Sequence, residues 1–133
     1  MRSVTLLALL LCACVSSGVH PLRPLEIPTQ PYSGVVTSSS TGTLTYDGGC
    51  LQFRADDRHG QLVPIWPDGT TFNGTLVTFH QPGRSDEMIV VNEEILMSGE
   101  PMQWSRLPGP RMPLHQRVCR GTPFAVAGIR PAN

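Results

Sequence analysis

The chain has 133 residues, and its ten basic side chains balance ten acidic ones, for a net charge of zero. That length holds one domain, and the charge balance argues against nucleic acid as a partner, because phosphate binding needs a basic excess or stripe. All ten cations are arginine, which reads as codon composition rather than as a demand for guanidinium geometry.

The first predicted element is a leader. Arg2 is followed by residues 4–11, apolar except for Thr5. A positive charge ahead of a short apolar run is the pattern of a signal peptide. The run is too short to cross a bilayer, which takes about 20 apolar residues. It closes on "LCAC", with Cys12 and Cys14. This stretch resembles the lipobox of bacterial lipoproteins, in which an aliphatic, a variable and a small residue precede a cysteine that receives a diacylglycerol. Leu11, Cys12, Ala13 and Cys14 hold those places. The resemblance implies that residues 1–13 are removed, that Cys14 is lipidated, and that the protein is membrane-anchored in the bacterial envelope. Val15, where many inner-membrane lipoproteins carry aspartate, points to the outer membrane. The alternative is ordinary cleavage after Ser17 or Gly18, giving a secreted or periplasmic protein.

With Cys12 removed and Cys14 acylated, Cys50 and Cys119 remain. In an oxidising compartment an even leftover pair reads as a disulfide. Residues 14–42, rich in Pro, Ser and Thr without an apolar period, read as a disordered tether. Residues 43–133 form the predicted domain.

Within that domain the texture is short strands between turn signals. "TLTYDGGCLQFR" carries a Gly48-Gly49 bend, then Leu51 and Phe53 at strand period. "QLVPIW" follows, with Pro64 marking an edge or bulge. "PDGTTFNG" holds two tight-turn pairs. "TLVTFH" places Val77 and Phe79 on one face. "MIVVNEEILMSG" is the longest run, with Ile89, Val91 and Ile95 inward and a kink at Asn92-Glu93. "GPRMPLHQ" is too broken by proline for a long helix. "TPFAVAGI" ends the pattern. The predicted fold is all-β: a small five- or six-stranded barrel, OB-like, whose neighbouring first and last strands would bring Cys50 near Cys119. The "GGCL", "WPDGT" and "CRGTPF" stretches resemble short exported bacterial proteins of unknown function, which adds weight to the fold only.

Candidates for chemistry are sparse. His20, His59, His80 and His115 show no zinc-type spacing, and Met102 and Met112 near His115 make no ligand set once Cys119 is oxidised; no metal or cofactor is expected. Asp56-Asp57 and Glu93-Glu94 are adjacent pairs that point to opposite faces of a strand and read as solvated turns. Asn73-Gly74-Thr75 fits a glycosylation sequon, but reads more simply as an Asn-Gly turn. Trp66 and Trp104 are candidates for a stacking surface of the kind OB-folds offer to glycans. The functional expectation is a non-catalytic binding or structural module with an envelope protein or glycan as partner. The rival is a small envelope hydrolase using His80 or His115 with an acidic partner.

Overall fold

The computed structural model describes residues 22–132; the leader, Cys14 and His20 lie outside them. Strands dominate. They are β1 (Thr29–Gln30), β2 (Ser38–Asp47), β3 (Cys50–Ala55), β4 (Gln61–Pro67), β5 (Thr71–Phe72), β6 (Leu76–Phe79), β7 (Glu87–Val90), β8 (Glu94–Pro101) and β9 (Thr122–Pro131). A 3-10 turn (Trp104–Arg106) and one helix, α1 (Met112–Val118), separate β8 from β9.

The hairpin β2–β3 is dictated locally. Asp47 pairs with Cys50 across Gly48-Gly49, and both glycines have positive φ, as a two-residue turn matched to strand twist requires. From there β3 pairs with β4, β2 with β8, and β8 with β9, all antiparallel. Strand β9 then pairs with β4 in parallel, from Leu62↔Thr122 to Ile65↔Ala125. Five strands, β4-β3-β2-β8-β9, therefore close on one another in a ring. Strand β1 adds in parallel to the end of β4, and β5–β6–β7 form a separate antiparallel sheet.

Period-two burial divides the core. Leu44, Phe53, Leu62, Trp66, Met97 and Phe124 join Val77, Phe79 and Ile89 of the small sheet in one cluster. The intervening residues of β4, Val63 and Ile65, pack on the other face with Cys50, Cys119, Leu107 and Met112. This explains why "QLVPIW" is apolar without alternation: β4 is covered on both faces. Its β3 pairing ends at Leu62, so the missing N–H of Pro64 costs no bond on that side.

Several expectations change. The fold is mostly β rather than all-β, because Pro113 falls in the first turn of α1, where proline is tolerated. The "MIVVNEEILMSG" run is two strands in two sheets. Asn92 turns the chain between them with φ 75°, its N–H bonded to the Leu44 carbonyl at 2.8 Å. Residues 22–42, expected within the tether, hold β1 and the first half of β2 and lie against the body; their prolines flank short paired stretches. Cys50 and Cys119 are joined, with Cα atoms 5.3 Å apart. The route differs from neighbouring first and last strands: Cys119 ends α1 just before β9, which runs beside β4, next to β3.

Candidate functional site

Three acid–histidine contacts and one groove concentrate the polar chemistry of the described residues. The first contact ties the N-terminal segment to α1. Arg111 grips Glu26 with two nitrogens, Nη2 to Oε1 at 2.6 Å and Nε to Oε2 at 3.2 Å, a bidentate fork. His115 Nε2 lies 3.1 Å from Glu26 Oε2. Partial burial opposes ionisation of Glu26, but the Arg111 hydrogen bond and charge outweigh it and hold the carboxyl below its usual value. An ionised carboxylate only accepts, so His115 donates through Nε2. The imidazole ring is 3 % exposed, and its pKa is lowered, chiefly by burial. A cleft of about 240 Å³ lies alongside, lined in part by Glu26, Pro28, Pro110, Arg111 and His115. His115 therefore meets a carboxylate beside a cleft, with Nε2 committed as the donor and the lone pair left on Nδ1.

Both folded values in this clamp are depressed, so the unfolded chain binds protons more readily. Stability is complete above about pH 6.5, His115's ordinary value, and falls on acidification, with Glu26 adding its loss below 4.5. The melting midpoint is expected to drop by several degrees between pH 7.5 and 5, and His115→Gln to flatten that slope. Circular dichroism melts across the range decide it; a midpoint that rises on acidification contradicts the clamp.

The second contact is His80 Nδ1 to Asp86 Oδ1, 2.8 Å, in the β6–β7 connection. Both side chains are more than two-fifths exposed, and such surface pairs contribute little. The third was not anticipated. Asp57 and His59 in the β3–β4 turn meet Ser38 and Ser40 of β2: His59 Nδ1 to Asp57 Oδ1 is 2.7 Å and His59 Nε2 to Ser38 Oγ is 3.0 Å. The short Asp-x-His spacing hinted at a local contact; the serines were visible only as part of a polar stretch.

The tryptophans do not form a surface. Trp66 is fully buried against Phe79, so the stacking role expected of it is corrected: β4 turns it into the core. Its Nε1 is the one buried side-chain polar atom without a partner among the described residues. Trp104 lies against the outer cluster and donates its Nε1–H to the Gly121 carbonyl at 3.2 Å.

An open groove of about 620 Å³ runs over the outer face of β2, β8 and β9. Ser39, Ser98 and Gly128 line up across its floor through paired registers. Gly128 adds no side chain there. Tyr32 forms a wall, its hydroxyl donating to the Ala127 carbonyl at 3.2 Å. Gln81 Nε2 donates to both the Tyr32 hydroxyl, 3.1 Å, and Ala127 O, 2.6 Å. Arg84, Glu87 and Arg130 supply charges of both signs. No helix of the described residues is long and apolar enough to cross a membrane. No protein-family model matches the chain, nor does any curated protein or solved structure.

Proposed function

We propose that the protein is a binding module of the bacterial cell envelope, anchored through a lipid on Cys14, whose groove receives a glycan. The groove carries this reading. Its lining combines an aromatic wall, hydroxyls, an amide, two guanidinium groups and a carboxylate, which suits a hydroxyl-rich ligand better than an apolar protein hot spot. The Tyr32–Gln81–Ala127 bonds hold the wall in place before any ligand arrives, which limits the ordering cost of binding. The ring, a three-strand meander closed by a parallel contact of its third and fifth strands, supports an OB-like barrel, a scaffold used for oligosaccharides. Here Trp104 and α1 cover the outer face of its third strand, so the ligand face moves to β2, β8 and β9. The "LCAC" leader supports the location; a mature N-terminus at Cys14 with acyl mass decides it against a cut after Ser17 or Gly18.

Titration of the 15N-labelled protein with a soluble disaccharide-peptide fragment of the cell wall tests the groove. Amide shifts are expected to cluster on Tyr32, Ser39, Gln81, Ser98 and Arg130. Arg84→Ala with Arg130→Ala is expected to weaken binding about tenfold, the effect of roughly 1.4 kcal/mol. Shifts that map elsewhere, or none at millimolar fragment, reject the groove as the site.

A further inference from the structure

We propose that Ser38, His59 and Asp57 form an acyl-transfer site for small carboxylic esters at the end of the ring away from the disulfide. This goes beyond the binding role and does not rest on the groove, since Ser38 and Ser39 point to opposite faces of β2. The geometry has a topological origin. Gly42 pairs with Ala55, the last residue of β3, so residues 38–41 of β2 overhang the hairpin. The turn at 56–60 folds over that overhang, bonded by the Asp56 N–H to the Thr41 carbonyl at 2.9 Å.

The hydrogen bonds then have one consistent direction. Asp57 Oδ1 accepts from the His59 backbone N–H at 2.8 Å, and Oδ2 accepts from the buried Ser40 hydroxyl at 3.0 Å. The His59 amide bond is the largest cause holding the Asp57 carboxyl below its usual range, with the His59 ring and Ser40 adding to it. An ionised Asp57 can only accept. Its 2.7 Å contact therefore places the ring hydrogen on His59 Nδ1, which also lies 3.0 Å from Ser40 Oγ. The lone pair is left on Nε2, 3.0 Å from Ser38 Oγ. A hydroxyl on Nε2 and a carboxylate on Nδ1 is the arrangement that activates a serine. The His59 side chain is 26 % exposed, so the site is open to substrate. Val35 and Val36, 43 % and 56 % exposed, stand just ahead of Ser38 and offer an apolar surface for an acyl group.

In the reaction Ser38 Oγ attacks the ester carbonyl carbon while its proton passes to His59 Nε2. The tetrahedral adduct collapses, the ester C–O bond breaks, and the alcohol leaves with the proton from Nε2. Water then attacks the acyl-serine, giving its proton to Nε2, and Ser38 recovers it as the carboxylic acid departs. Asp57 acts through His59 and is a positioning residue.

The mature protein is treated with a fluorophosphonate reagent and mapped by peptide mass spectrometry, and p-nitrophenyl acetate hydrolysis is followed in parallel. A single adduct on Ser38 is expected. Ser38→Ala and His59→Gln should each lower hydrolysis about 100-fold, the lower end of a general-base contribution, while Ser105→Ala retains the wild-type rate. Asp57→Asn should lower kcat with KM nearly unchanged, a split that a merely structural turn contact does not produce. An adduct absent or on another serine, or equal rates for wild type and Ser38→Ala, overturns the proposal and leaves the network as a brace for the turn. Labelling of the wild-type chain decides the matter even if a variant fails to fold.

Discussion

Replacing Cys50 and Cys119 together by serine is expected to lower the melting midpoint by on the order of 15 °C, since a loss of roughly 4 kcal/mol shifts a domain of this size by about 4 °C or more per kcal/mol. The bridge spans 69 residues, and three of the five ring strands, β3, β4 and β8, lie within the loop it closes. Untying the loop returns that chain entropy to the unfolded state. A second effect acts in the folded state. Both cysteines are nearly fully buried and pack with Val63, Ile65, Leu107 and Met112. The outer cluster therefore loses two sulfurs and gains two hydroxyls that need partners. Because α1 and the 3-10 turn meet the ring mainly through this cluster, they should loosen first. Melts of the wild type with and without reductant, beside the double variant, give the size. Coincident curves for all three show that the cystine contributes nothing.

Gly99→Ala is expected to destabilise the protein by about 3 kcal/mol or more, beyond the usual range for an added methylene, because the obstacle is backbone. Gly99 sits at an irregularity where the β8–β9 register shifts after Ser98. A Cβ there would lie 1.9 Å from the Ala125 carbonyl oxygen and 2.9 Å from the Phe124 ring. Neither is the free end of a flexible side chain, so β8 and β9 would have to part where the ring closes. Gly128→Ala provides the comparison on the neighbouring strand. Its nearest heavy atom would be Ser98 Cβ at 3.9 Å, and the change should be neutral or slightly stabilising through the unfolded chain. Urea unfolding of the two variants measures both. Equal stability of Gly99→Ala and wild type means that the bulge, and with it the close approach of β8 to β9, is misplaced.

Much of the strand content was legible because its signals are local. Gly48-Gly49 names its own turn, and Val77 and Phe79 alternate with Leu76 and Thr78 in a way that only a half-buried strand explains. Residues 22–42 misled because proline and serine lower strand propensity whatever the context. Short pairings such as Thr29↔Trp66 draw on the partner strand rather than on intrinsic preference. Trp66 misled for a related reason: an apolar run does not say from sequence alone whether one face of its strand is covered or both, and β4 is buried on both.

Local chemistry thus determined, from residue order alone, the cysteine pair, the turns and the mainly β character, since cysteine parity, glycine torsion and side-chain period need no knowledge of distant neighbours. Folding decided the rest. The parallel contact of β4 with β9 closes the ring, Glu26 meets Arg111 across 85 residues, and Ser38 meets His59 across 21. Such meetings depend on which strands pair and how far each overhangs the next, and those are set by the burial of the whole chain rather than by any stretch of it.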